Sequence, residues 1–415
     1  MGTSQIGGGA SGGAAIRREL DWIRRNMPLT RWAAGRLPDM SGVRLACNMH
    51  LDAKMITFID AVLEAGAKVH LTTCNTDTVN DDLVAIARER GADAVAHRGM
   101  PRDVWGRSLA AALEWEPTHL CEMGAELTSA LYGTNPLLQG RRLRDEGRGE
   151  RIRAGMEATG SGITRLQELR QREELAYPIW NWDDIPVKEG LHNRHMVGIT
   201  AWHTFFERTG LTLHGKRVVV VGYGSVGRGV ADAARAYGGH VVVAEPEPGR
   251  ALEASFAGYP VGVLPEVAEG ADVVVTATGH PQVVAMDTVR RLNAGAFLLN
   301  VGHLAHEIDT EALSPFRSEE LLPHVREYRV DGRSVYLLAE GSMVNLAAGR
   351  GDSINAFDVT LAVMTATVGH MVVTSRRGAT ASPGEAQDPG VHTVPAAVWR
   401  GAVSPDVRSA DSAIT

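Results

Sequence analysis

A chain of 415 residues holds enough material for two or three domains. Its 44% hydrophobic and 22% charged content is ordinary for a soluble globular protein, and a net charge of −7 without a Lys/Arg-rich cluster argues against nucleic acid as a partner. Cys47, Cys74 and Cys121 show neither CxxC nor zinc-ligand spacing, so reduced thiols, no metal and a cytoplasmic location are expected.

In chain order, the Gly/Ser-rich stretch 1–14 reads as a disordered tail without the apolar core of a signal peptide. Residues 15–26 form an amphipathic helix. Strands are expected at 43–48, 69–73, 94–96 and 119–122, and helices at 54–64, 81–91 and 105–114. This alternation with short connections implies a parallel sheet. Residues 136–157 are polar and arginine-rich, helical periodicity returns at 163–174, and 177–182 is an extended aromatic segment. A long helix at 196–209 leads into further βα units, with strands at 218–221, 240–244, 273–277, 296–301 and 335–338. Residues 340–350 read as a loop and 354–373 as a helix crossing back to the first domain. Beyond 375 no periodicity survives, with some order conceivable only near 390–398. No apolar run approaches the roughly 20 residues of a membrane span, so no membrane association is expected. The fold class is α/β with two Rossmann-like doubly wound domains. A substrate domain covers 15–195 and 353–374, an inserted dinucleotide domain covers 196–352, and 375–415 is irregular.

The most informative stretch is 218–245, VVVVGYGSVGRGVADAARAYGGHVVVAE. A buried valine strand is followed by Gly222, Gly224 and Gly227 at G-x-G-x-x-G spacing, an Ala-rich helix, a second strand and Glu245. The first glycine permits the tight turn, the second lets backbone approach a pyrophosphate, and the third lets helix pack on strand. Glu245 stands where an acid bonds the adenosine ribose and repels the extra phosphate of NADP. NAD is therefore the expected cofactor.

Several motifs then resemble one family, the NAD-dependent S-adenosylhomocysteine hydrolases, from about residue 43 to 373. They are GYGSVGRG at 222–229, LNVGHLAHEID at 299–309, LLAEGSMVNLAAGRGDS at 337–353, CNMHLDAKM at 47–55 and the pair Cys74-Asn75. The resemblance implies a NAD that oxidises a ribose 3′-hydroxyl, acidifying the C4′ proton, so that the 5′ substituent leaves by β-elimination before the hydride returns. It further implies a catalytic role for Lys188 beside that hydroxyl, for Asn193 near the nicotinamide, and for His50 and His303 by the 5′ carbon. NAD contacts are implied at Thr159, Gly160, Ser161, Ser225, Val226, Arg250, Val301, Gly302, His303 and Asn345. The resemblance implies a homo-oligomer, dimer or tetramer, although the family's C-terminal Lys…Tyr clamp has no counterpart in the terminal VRSADSAIT.

The substrate-gripping positions depart from the family. Its aspartate four residues past the lysine is His192, its second pocket acid is Ala158, and its catalytic aspartate falls on Met123, or on Glu122 if the register slips. Near the base, a threonine and a glutamate become Asp52 and Lys54, and a histidine becomes Asp352. His192, His195 and His306 match no catalytic position. Retained redox residues with an altered sugar pocket imply a diverged member acting on a modified, adenine-bearing nucleoside. Loss of a 5′-hydroxyl as water would leave an exocyclic enol ether, as in angustmycin-type ketohexose nucleosides. The same residues are compatible with an ordinary hydrolase, a non-catalytic NAD-binding regulator, or a dehydrogenase that releases its keto product.

Overall fold

The computed structural model describes residues 10–172, 175–304, 306–377 and 388–403. Their strands are β1 (Arg44–Asn48), β2 (Lys68–Thr72), β3 (Asp93–Ala94), β4 (His119–Glu122), β5 (Ala154–Glu157), β6 (Pro178–Asn181), β7 (Arg217–Val221), β8 (His240–Ala244), β9 (Val261–Gly262), β10 (Val273–Thr276), β11 (Ala296–Asn300), β12 (Ser318–Leu322), β13 (Val325–Val330), β14 (Arg333–Leu338) and β15 (Gly390–Thr393). The chain divides into two compact units, residues 1–185 with 354–415, and residues 186–353.

In the first unit the described strands form one sheet in the order β15-β6-β5-β4-β1-β2-β3, every pair parallel. Leu45 and Cys47 face one core with Met156 and Trp180, whereas Ala46 faces the other with Leu120 and Ile179. Burial on both faces explains why these strands read as apolar runs rather than alternating ones. The chain steps from β1 outward through β2 and β3, then returns to place β4 on the other side of β1. The β1/β4 boundary is thus a switch point, and in open α/β sheets ligands gather at the C-terminal ends of the strands there.

The second unit repeats this logic. Its sheet runs β12-β13-β14-β11-β10-β7-β8-β9, with the stretch from β14 to β9 parallel and β12-β13-β14 an antiparallel meander. Val218 and Val220 pack with Trp202 and Phe205, while Val219 and Val221 pack with Ala268, Ala271 and Leu292 on the opposite face. The switch point lies between β7 and β10.

Four sequence expectations change. Most of the expected tail over 1–14 lies outside the described residues, but the chain is already helical in Ala10–Arg25, since a helix nucleated by the amphipathic segment propagates into its flank. The segment past 375 is not irregular throughout: β15 pairs with β6, and Ala396–Val403 is helical. Helix Ile354–Arg377, 24 residues with a window of mean hydropathy 1.5, is long and apolar enough to cross a membrane. Threonines and a glycine interrupt its raw apolar run, hiding it from a composition scan. Val363, Met364, Val368, Met371 and Val372 nevertheless bury it in the first core, as a central helix requires.

The fourth change is the domain boundary, which falls between Ile185 and Pro186 rather than after 195. Residues Lys188–Met196 form a π-helix that runs directly into helix Val197–Thr209. They are pinned to the second unit by an Arg194–Asp232 ion pair of 2.6 Å. A Cβ on Gly229 would lie 2.0 Å from the Arg194 carbonyl oxygen, so only glycine allows that approach.

Candidate functional site

At the C-terminal end of β7 the backbone turns at Gly222 with φ +93°, a conformation favouring glycine. A Cβ on Gly227 would sit 2.0 Å from the Gly222 carbonyl oxygen, which fixes the third glycine of the motif. Helix Ser225–Ala236 therefore starts tight against the strand and directs its free N–H groups toward the turn. Beside it, Glu245 leaves β8 with one carboxylate oxygen accepting from Tyr223 N at 2.6 Å and the other from Glu247 N at 2.9 Å. Arg250 Nη1 is the nearest group to a Cβ built on Gly224, at 4.0 Å, and adds a cation beside the turn.

The neighbouring strands end in a second anchored loop. Asn300 closes β11, takes hydrogen bonds from Thr276 Oγ1 (3.0 Å) and Gly302 N (2.7 Å), and donates to the carbonyls of Leu304 and Gly341. Buried Glu307 accepts from Thr278 N, Thr278 Oγ1 and Gly279 N at 2.7–2.9 Å. Burial pushes its pKa up against the pull of those donors. Together they hold the loops after β10 and β11 and set the position of partly buried His303. Val301 is packed into the core, so only its backbone remains for a ligand.

The π-helix carries the second group. A π-helix closes i→i+5 bonds, so one turn brings residue 188 over 192 and 193. Lys188 Nζ donates to Asn193 Oδ1 at 2.6 Å. His192 Nε2 contacts one oxygen of Asp352, and Thr200 Oγ1 donates to the other at 2.8 Å. Asn345 is 1% exposed, and its Oδ1 has no hydrogen-bond partner among the described residues.

In the first unit, the expected residues lie at the C-terminal ends of β1, β4 and β5. His50 Nδ1 meets Thr78 Oγ1 at 2.8 Å. Asp52 caps the next helix, accepting from Lys54 N and Met55 N, and pairs with buried Lys54 Nζ at 3.2 Å. Glu122 is the last residue of β4, and its carboxylate is taken up by Leu127 N, Thr128 N and Thr128 Oγ1. Met123 follows, buried, with its N–H bonded to Asn48 O. Ala158, 2% exposed, donates its N–H to Glu122 O. Thr159 caps helix Gly160–Arg170, in whose first turn Gly160 and Ser161 lie, and its hydroxyl serves Gly162 N and Glu157.

These geometries can be set beside known proteins. The profile described as "S-adenosyl-L-homocysteine hydrolase, NAD binding domain" matches residues 204–351. An S-inosyl-L-homocysteine hydrolase of Methanopyrus kandleri is 32% identical over 386 residues, covering 91% of this chain and 87% of its own. An adenosylhomocysteinase of Thermococcus kodakarensis is 34% identical (83% and 81% covered), and one of Thermotoga maritima is 31% identical (86% and 88%). This chain belongs to the adenosylhomocysteinase family. NAD is accordingly its cofactor, and the residues fit it: the Gly-rich turn leaves room that side chains would fill, and Asn345 Oδ1 is a buried acceptor lacking a donor among the described residues.

Two sets of contacts in this adenosylhomocysteinase-family chain are not readable from the sequence. Glu307 stands inside the motif at 299–309, but nothing in the string tells that it holds the loop at 278–279. The His192–Asp352–Thr200 cluster joins residues distant in sequence, with no periodicity to announce it.

The buried acids of the first unit also predict a pH dependence. Burial, chiefly, pushes Glu122 up to about 7; burial and then the charge of Glu122 push Glu157 up to about 8. A carboxyl whose folded pKa exceeds its unfolded value stabilises the fold fully below the ordinary carboxylate range, and loses that stabilisation as pH rises through the folded value. Denaturant midpoints of the first unit should therefore fall between about pH 5 and about pH 9, and Glu157→Gln should flatten the decline. A midpoint that climbs over this interval would contradict the assignment.

Proposed function

We propose that this chain acts on a modified adenine nucleoside, oxidising a sugar carbinol, removing the C4′ proton, eliminating the 5′-hydroxyl as water and reducing the ketone again. The observation that carries this reading is the contrast between the two groups of residues. Lys188, Asn193, His50 and His303 keep the proton-handling chemistry, while Met123 and Ala158 present buried apolar surface where the resemblance puts acids. Bound NAD supplies the acceptor and later donor of one hydride. Lys188, held by Asn193, takes the hydroxyl proton as the carbinol is oxidised. His50 or His303 protonates the leaving oxygen, a need that is acute because hydroxide leaves far less readily than a thiolate. The small side chain of Ala158 accommodates an extra substituent on the sugar, such as the hydroxymethyl of a ketohexose.

The relatives are named for S-inosyl- and S-adenosyl-homocysteine hydrolysis, which supports a second reading, ordinary release of homocysteine. The test incubates the NAD-bound protein with S-adenosylhomocysteine, S-inosylhomocysteine, adenosine and an adenine ketohexose nucleoside, following product masses. A nucleoside lighter by one water with NAD unconsumed supports dehydration. Homocysteine release without dehydration returns the protein to hydrolysis. Ala158→Glu should cut turnover of the ketohexose nucleoside roughly 10–100-fold by filling the pocket, while bound NAD is retained. Unchanged turnover would remove Ala158 from the argument.

A further inference from the structure

The second unit carries two acids at its switch point, one on each side of the β7/β10 boundary. Glu245 leaves β8 partly exposed, where water reaches its charge. Glu307, by contrast, is 0% exposed. Its Oε2 accepts from Thr278 N (2.9 Å) and Thr278 Oγ1 (2.8 Å), and its Oε1 accepts from Gly279 N (2.7 Å). Each of these partners donates, which suits an ionised carboxylate, since that group only accepts. Among the described residues no lysine, arginine or histidine forms an ion pair with Glu307. A buried charge is ordinarily neutralised by an opposite one. Burial accordingly pushes the Glu307 carboxyl up against the pull of its donors. Its seat is nevertheless closely built: a Cβ on Gly302 would lie 1.7 Å from Oε1, so only glycine leaves room. The loop that Glu307 holds also packs on the dinucleotide turn. Ala277 O lies 2.7 Å, and Thr278 Cγ2 3.1 Å, from a Cβ built on Gly222.

A dinucleotide spans such a switch point, and Glu245 assigns the adenosine half to the β7–β8 side. The nicotinamide half then falls to the β10–β11 side, whose loops Glu307 supports. We propose that the buried Glu307 carboxylate is the counter-charge of the oxidised nicotinamide ring and holds the resting cofactor as NAD+. This rests only on NAD as the cofactor and is independent of which nucleoside is turned over. Bound NAD supplies a cationic ring when oxidised and a neutral one when reduced. Glu307 stabilises the first and not the second, because only the cation compensates a buried negative charge. The acid therefore favours return of the stored hydride, which a cofactor that ends each cycle as it began requires. Glu307 acts through its charge and through the loops it anchors, and is a positioning residue.

The experiment counts bound cofactor in its two forms, with no substrate present. NAD-loaded protein is equilibrated with an excess of free NAD+ and NADH in known proportion, separated from free nucleotide and denatured. The proportion released gives the preference of the site directly. The parent should retain NAD+ over NADH. Glu307→Gln keeps the shape of the side chain without its charge and should lower that preference about 10-fold. Glu307→Asp keeps the charge on a shorter stem, so it should hold less dinucleotide while preserving the preference within about 3-fold. A merely structural role would weaken both forms alike and leave their proportion unchanged. A parent-like proportion in Glu307→Gln therefore overturns the proposal, as does a 10-fold loss of preference in Glu307→Asp despite its retained charge. Should Glu307→Gln hold no dinucleotide at all, the parent decides: retention of NADH as firm as that of NAD+ overturns the proposal.

Discussion

Replacing Lys188 with methionine is expected to slow the reduction of bound NAD by a nucleoside about 10³-fold, within the range of general acid–base contributions. Methionine preserves the length and apolar stem of the side chain but cannot take the hydroxyl proton that must leave as the carbinol becomes a ketone. Asn193 Oδ1, which accepts from Lys188 Nζ at 2.6 Å, loses its partner at the same time. Dinucleotide binding should survive, because the turn at 222–227, Glu245 and Asn345 are built from other elements. Lys188→Arg tests what the lysine is for. A guanidinium keeps the charge but does not lose a proton at accessible pH, so it should be nearly as slow as methionine if proton transfer is the role. Single-turnover absorbance with adenosine or the ketohexose nucleoside decides it. A fully active Lys188→Arg would mean that the charge alone matters.

Some of this site is legible in the sequence, and the rest is concealed for identifiable reasons. β7, the glycine turn and Glu245 can be read because each demands a residue type: β-branched side chains for a strand buried on both faces, glycine where backbone meets backbone, an acid at the strand end. The π-helix at Lys188–Met196 cannot, since its residues have no apolar face and its i→i+5 pattern has no compositional mark. β5 is hidden because Ala154–Glu157, AGME, lacks β-branched residues and follows an arginine-rich stretch. The β13–β14 hairpin is different. Asp331 and Gly332, both at positive φ, form the Asp-Gly turn between two strands, and that dipeptide is a recognisable hairpin signal. The adjacent polar residues Arg326 and Glu327 break the period-2 alternation and obscure β13 all the same. Contacts such as His192–Asp352 are a product of tertiary structure alone, and sequence order carries no trace of them.

In the first unit the largest stability effect is expected from Glu157→Ala, which should lower unfolding free energy by about 4 kcal/mol or more, the size of an exceptional core substitution. Glu157 is wholly buried, and its carboxyl group accepts from Gly124 N (2.9 Å), Ala125 N (2.7 Å), Thr159 N (2.7 Å) and Thr159 Oγ1 (2.8 Å). Alanine would leave these donors without an acceptor, and each buried, unsatisfied donor costs about 1–3 kcal/mol. The turn it supports is strained already, since Ala125 sits at φ +53° beside Gly124 at φ +104°. Methionine, alanine and threonine at 123, 158 and 159 flank these anchor points, so the same carboxyl that stabilises the unit also shapes the proposed sugar pocket. Glu157→Gln should fall between parent and alanine, because its amide oxygen still accepts while its NH2 meets donors. Because the two units have separate cores, the shift should appear in the transition of the first unit and leave that of the second in place. Denaturant unfolding followed by near-UV signal and by NAD retention would separate them. A loss below about 1 kcal/mol, an ordinary value for a surface site, would show that water enters and replaces the carboxyl group, and that the loops do not depend on it.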